Sequence, residues 1–198
     1  MKQGIVIVTW SGGKPQLDLL LYSLRGYRKY PFYIVYNDAT NAPVSQIMEL
    51  EKEYNLLMTR EDSFECGALQ GILDNTDLDE FILLQDTFEI LNPKFFGEIF
   101  NNSPEMSVTF GPTFSFFFGK FRREALLKVK IPITLNKHDA ITAELNFPRE
   151  YVKNEPFRIF DEKFIPIVSD DNLEMRWGRV NLITKNDYVI KRQGTWLT

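Results

Sequence analysis

Apolar positions in the first half of the chain alternate between two patterns. Gly4-Ile-Val-Ile-Val-Thr9 is an unbroken β-branched run and reads as a central strand. Trp10-Ser-Gly-Gly-Lys-Pro15 breaks it with turn residues. Leu17, Leu20, Leu21 and Leu24 then recur at helical spacing, with Gly26 as the terminator. Phe32 to Tyr36 is a second strand, closed by the polar stretch from Asn37 to Pro43. A helix from Val44 to Tyr54, a short strand from Leu56 to Thr59 and a helix from Glu65 to Leu73 follow. Glu80-Phe-Ile-Leu-Leu-Gln85 holds four consecutive apolar residues, as expected of a parallel strand buried on both faces. Strand and helix in strict alternation predict βαβ units with right-handed crossovers, hence an α/β fold with a mostly parallel central sheet.

Beyond residue 90 the pattern changes. A short helix is expected around Pro93 to Phe100, then strands at Met106–Phe110 and Phe114–Phe118. A basic helix from Arg122 to Val129 and a helical stretch from Lys137 to Tyr151 come next. The tail holds a strand near Phe164–Val168 and a hairpin, Val180–Thr184 with Tyr188–Arg192, turning at Asn186-Asp187. No internal repeat or low-complexity segment interrupts the chain. A boundary near residue 90 therefore separates two halves of a single domain, 1–90 and 91–198.

Charge and composition narrow the function classes. With 44% hydrophobic and 14% aromatic residues, including 17 Phe, the chain can bury a thick core. A net charge of −4 provides no basic field to recruit nucleic acid. One cysteine, Cys66, excludes an internal disulfide framework and fits a reducing compartment. No apolar run is long enough for a membrane span, and no signal-peptide pattern precedes the first strand. The expectation is a soluble, cytoplasmic protein.

Three constellations carry candidate chemistry. The first is Thr9-Trp10, Asn37-Asp38 and Gln85-Asp86, polar groups that successive strands deliver to one sheet edge. Asp86 is costly to desolvate unless a cation pairs with it, and a divalent metal carrying a phosphate-bearing ligand is the natural candidate. Taken singly, Asn37-Asp38 also suits an Asx-turn, and Asp86 a cap. The second is the Glu65-Cys-Gly-Ala68 helix start, where Gly67 and Ala68 permit close approach of a ligand. A helix capped by Asp62 or Ser63, with Cys66 as a buried small residue, accounts for it equally well. The third is His138-Asp139 with Glu144, carboxylates for a general base and an imidazole that pairs with Asp86 at a metal, or simply a surface capping pair. Arg122-Arg123, Arg176 to Arg179 and Lys191 to Trp196 offer phosphate or sugar contacts, or plain helix faces and edge strands. Trp177 and Trp196 would cover the active site, form an oligomer contact or simply pack edge strands. A Walker loop, a dinucleotide glycine fingerprint and a serine nucleophile elbow are absent.

Assembled in order, these residues resemble the GT-A fold glycosyltransferases, in particular the inverting family-two enzymes. Ile5 to Trp10 resembles the first strand of that fold, and Ile34-Val-Tyr-Asn-Asp-Ala-Thr40 the second strand and its uridine-holding end. Phe81-Ile-Leu-Leu-Gln-Asp-Thr87 resembles the strand with the Asp-x-Asp metal motif, reduced here to a single carboxylate. Gly119-Lys-Phe-Arg-Arg-Glu-Ala125 resembles the acceptor-side segment, and Asp139, with Glu144 as fallback, falls where the family places its base.

The resemblance implies a nucleotide-diphospho-sugar transferase architecture, a three-layer α/β/α sandwich. It implies transfer of a hexosyl unit from a nucleotide sugar, chiefly a UDP-sugar, to a hydroxyl acceptor with inversion, assisted by Mn²⁺ or Mg²⁺. Thr9, Trp10, Asn37, Asp38, Glu65, Gly67, Ala68 and Gln85 would meet the nucleotide, Asp86 and His138 the metal. Two alternatives stay open: a non-catalytic nucleotide- or glycan-binding module of the same fold, and a nucleotidyltransferase. The latter should carry a glycine- and lysine-rich loop, which Ser11-Gly-Gly-Lys14 approaches only faintly.

Overall fold

Side chains of each central strand divide between two helix layers, and that division builds the molecule. Ile5 and Ile7 face one way and Val6 and Val8 the other, and Ile82 and Leu84 are split likewise from Phe81 and Leu83. The computed structural model describes residues 1–37, 42–60, 63–102, 118–153, 167–176 and 179–194.

Strand β1 (Gln3–Trp10) leads through a 3-10 turn at Ser11–Gly13 into α1 (Lys14–Ser23). Next come β2 (Phe32–Asn37), α2 (Val44–Glu53), β3 (Asn55–Thr59), α3 (Phe64–Asn75) and β4 (Glu80–Gln85). The second half comprises β5 (Phe88–Ile90), α4 (Lys94–Asn102), β6 (Phe118–Arg122), α5 (Arg123–Leu126) and α6 (Lys137–Val152). It closes with β7 (Ile167–Arg176), β8 (Arg179–Lys185) and β9 (Val189–Gly194).

The main sheet has the order β3-β2-β1-β4-β6. Strands β1 to β4 are mutually parallel, and β6 runs antiparallel beside β4. On one face, Leu17 and Leu20 of α1, Leu50 of α2 and Phe95, Phe96, Ile99 and Phe100 of α4 form a core. On the other, Leu69 and Ile72 of α3 pack with Phe147 and Tyr151 of α6. Each fully buried apolar side chain contributes about 1.5–3 kcal/mol. The arrangement is the three-layer α/β/α sandwich with a mostly parallel sheet that the sequence predicts. No helix among the described residues is long and apolar enough to cross a membrane.

Two elements depart from expectation. Phe118–Arg122 is a strand, and the helix after it is only Arg123–Leu126. Lys120 breaks the apolar pattern there, yet it is closed off from solvent with its ammonium 2.8 Å from Oε1 of Glu80. An ion pair thus lets a charge sit inside a strand. The segment Phe88–Ile90, with no separate sequence signal, starts a second sheet of order β5-β9-β8-β7, antiparallel throughout. The expected strand at Met106–Phe110 and residues 114–117 and 164–166 of two others lie outside the described residues.

Candidate functional site

Parallel strands β1 to β4 end at one edge of the sheet, in Trp10, Asn37, Thr59 and Gln85. The strand order reverses direction between β1 and β4, the switch point where open α/β sheets hold their ligands. Thr9 and Asp86 meet there: the Thr9 hydroxyl donates to Oδ2 of Asp86 at 2.8 Å. The Asp86 amide donates to the Val8 carbonyl at 3.0 Å, which pins the carboxylate to the end of β1. Asp86 is 6% exposed. Gly13, in the turn after β1, packs so closely that a Cβ on it would overlap Oδ2 of Asp86. Trp10 projects into solvent, 52% exposed, its ring lying over Gly12.

A second cluster forms at the ends of β2 and β3. Oδ1 of Asn37 accepts from the Thr59 hydroxyl and, at 2.9 Å, from the Ser63 hydroxyl. Ser63 precedes α3 but caps it with no side-chain hydrogen bond, its hydroxyl being spent on Asn37. Gly67 lies beneath it, where a Cβ would overlap Oγ of Ser63. Between Ser63 and Glu65, Phe64 has a φ of 46°, a left-handed conformation costly for a bulky residue. Such strain costs about 1–3 kcal/mol and tends to gather at functional sites. Thr134 completes this corner, donating to the Ser63 carbonyl at 3.0 Å and accepting at its own carbonyl from Arg60 at 2.7 Å.

The two clusters join through Gln85, whose amide donates to Oε1 of Glu65 at 2.6 Å. From the second sheet Lys191 of β9 reaches in, its ammonium donating to Oε1 of Gln85 and to the Thr87 hydroxyl. Burial lowers its pKa to about 8, opposed by the charges of Asp86, then Glu65 and Glu144. Lys191 is a candidate residue that the site expectations omit, although its segment is marked there for phosphate contact. Thr59, Ser63 and Thr134 are likewise absent from them.

Other expected residues sit elsewhere. Ala68 is buried in the core between α3 and the sheet. His138 is exposed on the first turn of α6. Asp139 closes that turn: Asn136 accepts from its amide at 3.0 Å, while its carboxylate accepts from the Leu135 amide and the Asn136 side chain. Glu144 lies further along α6, half-buried and within electrostatic reach of Lys191 and Cys66. The guanidinium of Arg123 caps α3 by donating to the Leu73 and Thr76 carbonyls. Asp38, Trp177 and Trp196 lie outside the described residues. A cleft of about 360 Å³ lined by Arg28, Phe32, Tyr54 and Asn55 opens at the amino ends of β2 and β3, away from all these groups.

On the described side chains, the fit to a divalent ion is poor. Asp86 offers one carboxylate, and the other two oxygen donors of its segment, Gln85 and Thr87, serve an ammonium. Among the described residues, no group of three or more His, Cys, Asp or Glu side chains is placed to hold a metal.

No protein-family model matches the chain, and no curated protein matches it in sequence. Solved structures do match in fold. Residues 1–349 of S. aureus TarS superpose with a TM-score of 0.59 at 11% identity, over 82% of this chain and 59% of that one. TarS 1–349 has also been crystallised with UDP-GlcNAc. The glycosyltransferase GlyE of Streptococcus pneumoniae TIGR4 matches with a TM-score of 0.54 at 12% identity, over 83% of this chain and 46% of that one. A cytidylyltransferase from Leptospira borgpetersenii matches at 0.53 and 18% identity, over 82% and 77%. The chain thus spans about three fifths of the TarS chain it matches. Sheet order and structural neighbours together identify the architecture as a GT-A-like fold.

Proposed function

We propose that the chain is a glycosyltransferase that moves a hexosyl unit from a nucleotide sugar, with UDP as the nucleotide, to a hydroxyl acceptor. The observation that carries this reading is the Thr9–Asp86 contact across the switch point between β1 and β4. Support comes from the distribution of chemistry along the sheet edge. Asn37, Thr59 and Ser63 offer hydroxyl and amide groups suited to a base and ribose. Asp86 and Lys191 concentrate charge at the other corner, where a diphosphate would lie.

Glu144 is the proposed base. It lies within electrostatic reach of Lys191, while Asp139 stands on the first turn of α6. Glu144 would take the acceptor hydroxyl proton as that oxygen attacks the anomeric carbon. The bond from this carbon to the diphosphate oxygen breaks on the opposite side, inverting the centre and releasing the nucleoside diphosphate.

A second reading, nucleotidyl transfer, is favoured by one observation: the chain accounts for 77% of the cytidylyltransferase it matches, more than of TarS. Thermal melts with UDP, GDP, CDP and dTDP, followed by turnover assays, separate the readings. At a hundredfold excess over Kd a single nucleoside diphosphate should raise Tm by roughly 5–10 °C. Slow hydrolysis of the matching nucleotide sugar then marks a glycosyltransferase, and pyrophosphate release from a nucleoside triphosphate and a sugar phosphate marks the alternative. Binding without either turnover leaves a binding module, and no melt shift with any nucleotide removes the proposal.

A further inference from the structure

Three consecutive oxygen-bearing residues follow the apolar core of β4, Gln85, Asp86 and Thr87, and only one is charged. The fold brings them a cation from the far end of the chain. Strand β9 pairs antiparallel with β5, Lys191 opposite Phe88, and the Arg192 amide donates to the Thr87 carbonyl at 3.0 Å. This register fixes where the Lys191 side chain goes. Its ammonium sits 4.9 Å from the centre of the Phe88 ring and donates to the side chains on either side of Asp86. Lys191 is 7% exposed. Burying an ammonium costs several kcal/mol, so its partners must offset that cost. Asp86, Glu65 and Glu144 are the charges that face it. Asp86 also accepts from the Thr9 hydroxyl and Glu65 from the Gln85 amide.

We propose that the Lys191 ammonium is the cation that receives the pyrophosphate group of the ligand, so that nucleotide binding requires no divalent ion. The inference rests on the nucleotide-sugar reading and assigns its diphosphate subsite. A lysine binds phosphate as a point charge and needs no shell of oxygen ligands. Asp86 is then no metal ligand: Gln85 and Thr87 hold the ammonium in place, and Asp86 faces it as a neighbouring charge beside the switch point.

Metal and ammonium give opposite signs at Asp86. With a metal as the cation, loss of the Asp86 carboxylate removes its anchor and weakens diphosphate binding. With Lys191 as the cation, loss of that carboxylate removes a repulsion from the incoming anion. Calorimetric titration of the full chain with UDP, uridine and inorganic pyrophosphate, in EDTA and in Mn²⁺, reads this out. In EDTA the wild type should bind UDP, and Mn²⁺ should change its Kd by less than about threefold. Lys191→Met should weaken UDP and pyrophosphate by about 30-fold or more and leave uridine unchanged, which a merely structural lysine would not do. Asp86→Asn should bind UDP as tightly as wild type or more so. Lys191→Gln repeats the measurement should the methionine variant fail to fold.

Tightening of about tenfold or more by Mn²⁺, with loss of binding in Asp86→Asn, overturns the assignment and leaves the nucleotide-sugar reading intact. Unchanged UDP affinity in both Lys191 variants does the same. Pyrophosphate binding that depends on Lys191, with no nucleotide bound, upholds the cation site and removes the nucleotide reading. Failure of wild type to bind pyrophosphate or any nucleotide removes both.

Discussion

The Thr9 hydroxyl donates to Asp86 across 2.8 Å at the point where the main sheet changes direction, and Gly13 is what leaves them room. A Cβ at residue 13 would overlap Oδ2 of Asp86 and stand 2.8 Å from Oγ1 of Thr9. Gly13→Ala is therefore expected to displace the carboxylate and cost about 1–3 kcal/mol through overpacking. Urea denaturation should show the loss. Gly97 in α4 provides the contrast, since its Cβ would meet only the flexible end of Lys29 at 3.2 Å. Gly97→Ala should gain about 0.5–1 kcal/mol from helix propensity. Equal effects from the two substitutions would contradict the packing argument.

Lys120 and Glu80 form an ion pair with both side chains essentially sealed from solvent, between β6 and β4. Gln3 supports it, donating to the other carboxylate oxygen of Glu80 at 2.8 Å. Burial pushes the Lys120 pKa down, opposed by Glu80. Removing one partner leaves an uncompensated buried charge, a loss of about 3–5 kcal/mol. Lys120→Met and Glu80→Gln should each destabilise on that scale, while Glu80→Leu with Lys120→Met should recover most of the loss. Additive losses in the double variant would count against the pairing.

What the sequence made legible follows from how far each signal travels along the chain. Thr9, Asn37 and Asp86 stand immediately after apolar runs, so the strands themselves announced where those polar groups would lie. Helix α6 was likewise local, spanning Lys137–Val152 against an expected Lys137 to Tyr151. Lys191 was not legible as a site residue, because its place depends on pairing with a three-residue strand about a hundred positions earlier. Neither strand carries a mark of that pairing. Lys120 misled for a related reason: a charge in a run normally ends a strand, and only its distant partner, Glu80, permits burial. Asp139 held the expected place by spacing, but an Asn three residues earlier made it a helix-start residue.

Cys66, on the buried face of α3, is 3% exposed, and burial, with the Glu65 and Glu144 charges, pushes its thiol up to about 12. The unfolded thiol titrates near 9.0. Between these values the unfolded chain loses a proton that the native one keeps, so this group's contribution to stability falls as pH rises above 9. Native protein at pH 8 should resist iodoacetamide and react fully once denatured, as intact mass would show. Rapid native labelling would mean that the thiol is reachable.

Gly67 and Ser63 provide the means to perturb one end of the site alone. The Ser63 hydroxyl holds Oδ1 of Asn37 at 2.9 Å, and a Cβ on Gly67 would push that hydroxyl away. Ser63→Ala removes the same hydrogen bond without steric intrusion, at about 0.5–1.5 kcal/mol. Both changes act where the base and ribose are proposed to lie, and neither touches Lys191 or Asp86. Uridine and UDP should therefore bind about 3- to 10-fold more weakly to each variant, while pyrophosphate affinity stays at the wild-type value. Loss of pyrophosphate binding in Ser63→Ala would show that the two clusters are one subsite. A pyrophosphate affinity that survives there yet falls in Lys191→Met assigns opposite ends of the sheet edge to the two halves of a nucleotide.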